Sequence, residues 1–169
     1  MMRSLVASVC LIVLFAVPLQ LSAAQEDKKA LPENAPAAVY PFRYSGFDYK
    51  VAWKASSLPA GIWISGTMKN SRNLSVTAVE LTLFLKGADG KYRSRITVLP
   101  TPQFTVTNEP AEFSLLLKNE QLKPGDVFEF VIHYRAEGGS GRAVDWRTTF
   151  AADANSGMVM DEAVKKPDP

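Results

Sequence analysis

Apolar and polar residues alternate over most of the chain between residues 47 and 151. The pattern is clearest in the stretch 61–86, where every second position in each half is apolar: Ile62, Ile64, Met68, Val79, Leu81, Leu83 and Leu85. Because side chains of a strand point alternately to its two faces, this period of two predicts strands with one buried face. We interpret the stretch as two strands joined by a polar turn.

Similar alternation continues on both sides of this pair. It predicts further strands over 47–54, 91–99, 111–118, 128–135 and 144–150, with a short edge segment at 104–106. Turn signals separate them, such as the Asp89-Gly90 pair, which supplies the positive φ angles of a tight hairpin. The expected total is seven or eight strands.

No helical period accompanies these strands. Strands without helices to cover them bury their faces by stacking two antiparallel sheets. We therefore expect an all-β fold, an antiparallel immunoglobulin-like β-sandwich over residues 47–151. A small β-barrel is the alternative, since alternation alone does not separate the two.

The first 24 residues have the features of a signal peptide. Arg3 precedes an uncharged apolar run over 5–21, and small residues follow at Ala23 and Ala24. We predict cleavage after Ala24 or one residue earlier, which makes the protein periplasmic or secreted and leaves no membrane span. A retained membrane anchor is the alternative, although the run is short and contains Pro18.

The segments flanking the predicted sandwich are polar. Residues 25–46 contain three spaced prolines and predict a flexible linker, and residues 152–169 predict a disordered tail. The end of the linker, 39–44, is more apolar, and we favour its packing on the domain over a docking role. If it docks instead, Tyr40 and Phe42 are its candidate binding residues.

Charge and reactive residues argue against several functions. The formal net charge is +2, and +1 once Arg3 leaves with the leader, which favours neither nucleic acid nor an anionic membrane. The single cysteine, Cys10, lies in the leader, and the single histidine, His133, lies on a polar strand face. Ser114 and Asp145 are conceivable partners for His133, but no spacing places the three together. We predict neither an enzyme nor a cofactor.

A metal site is also not expected. One histidine without cysteine lacks the ligands of an ordinary zinc or copper centre. Met158 and Met160 in the predicted tail are the remaining soft ligands, and two thioethers without a third ligand are more often incidental.

Two aromatic residues fall on outward-facing positions of their strands. Trp63 and Phe84 have the parity opposite to the apolar stripe, so both are predicted to point away from the core. On neighbouring strands they would form a platform for a sugar or a peptide. The alternative is that the segment 39–44 covers them.

Several turn and core motifs resemble the FxLYD-type domain, a small immunoglobulin-like module of exported bacterial proteins. They are Gly66-Thr67-Met68-Lys69-Asn70, Leu83-Phe84-Leu85, Asp89-Gly90-Lys91, and Leu122-Lys123-Pro124-Gly125-Asp126 followed by Phe128 and Phe130. The resemblance covers about residues 61–135. It implies a β-sandwich with a binding or spacer role and brings no catalytic residues.

The expected function is an exported, non-catalytic module that binds another protein of the envelope or another envelope component. The predicted contact is either a sheet edge near 104–106 or the face carrying Trp63 and Phe84. The alternative function is binding of a small ligand or carbohydrate by the aromatic face. The sequence leaves the oligomeric state open.

Overall fold

The computed structural model describes residues 40–137 and 141–163, and within these ranges it contains strands and turns but no helix. A candidate membrane-spanning helix is therefore absent from these two ranges. The strands are β1 (Phe42–Ser45), β2 (Tyr49–Leu58), β3 (Gly61–Asn70), β4 (Val76–Lys86), β5 (Tyr92–Val98), β6 (Pro110–Lys118), β7 (Val127–Glu137), β8 (Ala143–Asp153) and β9 (Val159–Ala163). The predicted signal peptide 1–24, linker residues 25–39 and tail residues 164–169 lie outside the described residues.

The strands form two antiparallel sheets. Sheet A has the order β1-β2-β3-β6, and sheet B has the order β5-β4-β7-β8-β9. Their apolar faces pack against each other in an immunoglobulin-like sandwich, which confirms the predicted fold class and excludes the closed barrel.

Aromatic rings from both sheets fill the centre of the sandwich. Trp53 of β2 is fully buried, and its ring centroid lies 5.0 Å from that of Phe130 and 5.9 Å from that of Phe150. The last two rings stack at 4.6 Å with their planes 8° apart. Burying a side chain of this size stabilises the fold by about 2–3 kcal/mol, so this contact contributes strongly to holding the sheets together.

The strands β3 and β4 do not form the hairpin that their sequence suggested. β3 pairs with β2 and β6 in sheet A, whereas β4 pairs with β5 and β7 in sheet B. The polar segment 71–75 therefore carries the chain from one sheet to the other. A hairpin and two strands in different sheets show the same alternation of apolar and polar residues. The alternation indicates which face of a strand is buried and does not indicate the partner strand.

Both ends of the described chain add a strand that the sequence analysis placed outside the sandwich. Residues 42–45, predicted as linker, form β1 and pair with β2; Tyr44 stacks on Phe150 with ring centroids 3.8 Å apart. Residues 159–163, predicted as disordered tail, form β9 and pair with β8. The described sandwich thus extends from 42 to 163 and has nine strands, more than the seven or eight predicted.

The predicted edge segment at 104–106 is not a strand. Thr105 makes an isolated bridge to Val76 of β4, and Thr101 makes one to Glu112 of β6. Both bridges use reciprocal backbone hydrogen bonds of 2.8–3.1 Å. These bridges therefore occupy backbone groups of Val76 and Glu112 that a strand added at this edge would need.

Candidate functional site

The two outward aromatic residues lie on opposite sides of the molecule. Trp63 is 48% exposed on the outer face of sheet A, and Phe84 is half-buried on the outer face of sheet B. The outward direction was predicted correctly for both. The shared platform was wrong, because β3 and β4 belong to different sheets.

The other two candidate residues, Tyr40 and Phe42, are both half-buried. The ring of Phe42 lies 5.8 Å from that of Trp53, at the rim of the core. It also lies against Gly157, where an added Cβ would meet the Phe42 ring. Phe42 therefore packs within the domain, which agrees with the preferred interpretation of 39–44, and it does not cover Trp63.

The surroundings of Phe84 limit its availability. Its ring centroid lies 5.2 Å from that of Tyr92, whose hydroxyl donates a 2.8 Å hydrogen bond to Glu129. This bond raises the pKa of Tyr92. The Lys86 ammonium lies 5.8 Å from the Tyr92 ring centroid. A nearby depression of about 670 Å³ contains both a cation and a carboxylate, Lys86 and Glu129, in its lining. The outer face of sheet B therefore carries charges of both signs, and its aromatic residue Phe84 already contacts Tyr92.

The outer face of sheet A is basic. Trp63 and Leu116 lie side by side at one end of this face. Its outward positions also carry five cations and one carboxylate: Arg43, Lys50, Lys54, Lys69, Lys118 and Glu112. Among the described residues, none of these cations takes part in an ion pair, whereas Arg72, Lys91, Arg93 and Arg135 all do. The charge is thus segregated, although the chain is nearly neutral overall.

A depression of about 360 Å³ lies in this basic face. Register places Lys50 directly opposite Lys69, and Ala52 between Arg43 and Thr67. The lining also includes Ser45, Tyr44 and Val51, and it contains no carboxylate. The small Ala52 side chain leaves space that the longer cationic side chains surround.

A second polar cluster is buried at the end of the sandwich. Thr148 donates a 2.6 Å hydrogen bond to Asp48, and Arg72 Nε lies 3.8 Å from the same carboxylate. Arg72 also donates to the Tyr134 hydroxyl at 3.2 Å and lies 4.2 Å over the Trp146 ring. Burial raises the pKa of Tyr134, and the nearby Arg72 opposes this rise. These contacts connect the turn before β2 and the segment after β3 with β7 and β8, so we interpret the cluster as structural.

The three residues considered for catalysis are not brought together, because only His133 and Asp145 share a sheet face. His133 lies on the outer face of sheet B, paired with Glu80 and Arg147, while Ser114 lies on the outer face of sheet A. Asp145 is engaged by Arg135 at 3.0 Å, a contact that lowers the Asp145 pKa. A nucleophile and a base in different outer faces cannot share a proton.

No group of three or more histidine, cysteine or acidic side chains within the described ranges is arranged to hold a metal ion. Met158 and Met160 are both exposed, in the turn before β9 and at its second residue.

Comparison with known proteins identifies no family for this chain. No family model matches the sequence, and no curated protein matches it. Two solved structures of Bacteroides uniformis β-glucuronidase match part of the chain, one of them β-glucuronidase 2 covalently bound to cyclophellitol-6-carboxylate aziridine. Each is 16% identical, covers 63% of this chain and has a TM-score of 0.31. The chain spans only 13% of the length of each, and a likeness of this size carries no functional information.

Proposed function

We propose that this chain is an exported, non-catalytic β-sandwich module that binds a component of the cell envelope through the outer face of sheet A. The observation that carries the proposal is Trp63, 48% exposed on an inner strand of sheet A, near one end of its outer face. Its cross-strand neighbours are Ser56 and Leu116, so the ring stands on a flat surface. Exposed aromatic residues beside other apolar side chains often mark a contact site.

Two other surfaces have less to offer. On sheet B, Phe84 already contacts Tyr92. Near 104–106, the bridges of Thr101 and Thr105 occupy backbone groups that an added strand would need. The outer face of sheet A has neither restriction.

Export and the absence of catalysis belong to the same proposal. The charged start, apolar run and small residues of the first 24 positions support secretion. The separation of His133 from Ser114 supports a binding role in place of hydrolysis. The resemblance of 61–135 to FxLYD-type domains is part of the proposal and supports a binding or spacer module.

Sedimentation with an envelope preparation tests the proposal. The full chain, purified after the host has processed it, is mixed with washed insoluble envelope, and the bound fraction is measured by pelleting. We expect saturable binding that Trp63→Ala weakens strongly. The matched control is Phe104→Ala, which removes an aromatic residue of similar exposure, 53%, from a different surface and leaves binding unchanged.

Two outcomes contradict the proposal. The first is no binding to the envelope fraction with a folded protein, verified by its far-ultraviolet spectrum. The second is binding that Trp63→Ala and Phe104→Ala affect equally, which would move the contact away from sheet A.

A further inference from the structure

The three cations around the depression in sheet A come from three adjacent strands. Arg43 lies on β1, Lys50 on β2 and Lys69 on β3. Lys50 and Lys69 are direct cross-strand partners, which places their Cβ atoms about 5 Å apart. Like charges directly opposite one another destabilise a sheet. No ion pair of the described residues relieves this repulsion.

Their spacing makes the three cations act on one point. Adjacent strands lie about 4.8 Å apart and residues two positions apart on a strand about 6.7 Å, so the three backbone positions fall within about 12 Å of each other and within about 8 Å of Ala52. The screening length in physiological salt is about 8 Å, and each charge therefore reaches the space above Ala52. An anion placed there experiences all three charges together.

The rest of the lining also suits an anion. Ser45 and Thr67 contribute hydroxyl groups that can donate hydrogen bonds, and no carboxylate lies in the lining to compete. The planar guanidinium of Arg43 can pair with two oxygens of a carboxylate or phosphate group. The depression thus has the donors and the charge for one anionic substituent.

The same face continues toward Trp63. Thr67 and Trp63 are four residues apart on β3, about 14 Å, and Ser65 and Lys54 form the cross-strand row between them. A ligand lying along β3 would meet the cationic depression first, then Lys54, and then the aromatic ring. Charge at one end and a ring surface at the other suit a linear sugar polymer that carries negative groups.

We propose that the outer face of sheet A binds an acidic glycan. Its carboxylate or phosphate group occupies the depression formed by Arg43, Lys50 and Lys69, and one of its sugar rings stacks on Trp63. This inference rests on the proposed function and names the chemistry of the ligand.

The proposal is tested by measuring the binding of defined glycans to the full, processed chain with isothermal titration calorimetry. The probes are oligogalacturonate, which carries carboxylates, phosphomannan, which carries phosphates, and neutral mannan. We expect at least one acidic probe to bind, neutral mannan to bind at least about tenfold more weakly, and affinity to fall as salt rises. The acidic probe that binds tells which anion the site takes.

Charge-neutral variants locate the site. Lys50→Gln/Lys69→Gln should weaken binding of the acidic probe by about tenfold or more and reduce its salt dependence. Lys123→Gln, which removes an exposed lysine outside sheet A, is the control and should change affinity less than about twofold. Thermal unfolding of the double variant provides a fold check, and we expect its Tm to stay the same or rise because the Lys50–Lys69 repulsion is gone.

Three results would overturn the inference: neither acidic probe binds, mannan binds as well as they do, or the double variant binds normally. Binding to vesicles of anionic lipid without binding to either acidic glycan also rejects it, in favour of a membrane surface. If envelope sedimentation still depends on Trp63 in any of these cases, the proposed function stands and only the ligand is wrong.

Discussion

The Thr148 hydroxyl donates a 2.6 Å hydrogen bond to Oδ2 of Asp48, and both residues are buried. Thr148 belongs to β8 of sheet B, and Asp48 lies in the turn between β1 and β2 of sheet A. The bond therefore joins the two layers through a polar contact at the end of an otherwise apolar interface.

Replacing this donor should destabilise the fold. Thr148→Val keeps the shape but removes the hydroxyl, which leaves the buried Asp48 carboxylate one donor short. We expect the free energy of unfolding to fall by about 2 kcal/mol in chemical denaturation. The control is Thr149→Val, the next residue and outward-facing, which should change stability by less than about 0.5 kcal/mol. Equal effects of the two variants would contradict a structural role for the Asp48 contact.

The buried tyrosines Tyr49 and Tyr134 should respond differently to loss of the hydroxyl. The Tyr49 hydroxyl is buried without a hydrogen-bond partner among the described residues, whereas that of Tyr134 accepts a bond from Arg72. We expect Tyr49→Phe to leave stability at pH 7 unchanged or increase it, and Tyr134→Phe to lower it by about 1 kcal/mol. Denaturation curves of the two variants make the comparison, and a large loss for Tyr49→Phe would contradict it.

The same tyrosines predict an alkaline limit. Burial raises the pKa of Tyr49 and of Tyr134 above the ordinary value of 10.0. Their neutral forms are thus favoured in the folded state, so this contribution to stability is complete below about pH 10 and is lost as pH rises further. Denaturation between pH 8 and 12 should show a falling free energy of unfolding, and Tyr49→Phe should make the fall less steep. An identical slope in Tyr49→Phe would contradict this account.

Phe42 should matter for stability and not for binding. Its half-buried ring contacts Trp53 and Gly157, so Phe42→Ala should cost about 2 kcal/mol in the free energy of unfolding. Sedimentation of the folded variant with envelope should match the unaltered chain. Lost binding with unchanged stability would instead make Phe42 a docking residue.

A glycine in the core should not tolerate a methyl group. At Gly66, an added Cβ would lie 2.6 Å from the Phe113 ring and would also meet the Ala52 backbone oxygen. We expect Gly66→Ala to lower the free energy of unfolding by about 2 kcal/mol or more, because a backbone atom cannot move aside easily. Ser65→Ala, the outward neighbour, is the control. Similar small effects of both substitutions would contradict the tight contact.

The strands that alternate strongly could be predicted from the sequence. β3 begins and ends where the pattern predicted, at Gly61 and Asn70, because apolar residues occupy its inward positions from Ile62 to Met68, interrupted only by Gly66. β1 and β9 were missed since each has at most five residues and stands beside prolines or polar residues. The formation of such a short strand depends on contacts between residues distant in sequence, such as the stacking of Tyr44 of β1 on Phe150. A local sequence pattern does not contain these contacts.

Part of the candidate site could be predicted from the sequence. The outward direction of Trp63 follows from parity, and the same parity assigns Lys50, Lys54 and Lys69 to outward positions. Lys69 shares the parity of Trp63 within β3, whereas the position of Lys50 and Lys54 on the same face could be inferred only once β2 and β3 were known to pair. The net charge of the chain does not indicate this basic face, because carboxylates elsewhere in the chain balance the positive charges.

The contact of Phe42 with Gly157 couples the two outermost parts of the described fold. The first and last segments of a domain are usually poorly ordered unless a contact ties them down. Here, release of the turn before β9 uncovers Phe42, and detachment of β1 removes the surface on which that turn rests. Amide hydrogens in β1 and β9 should accordingly exchange at similar rates, and a protease cut within either segment should accelerate exchange in the other.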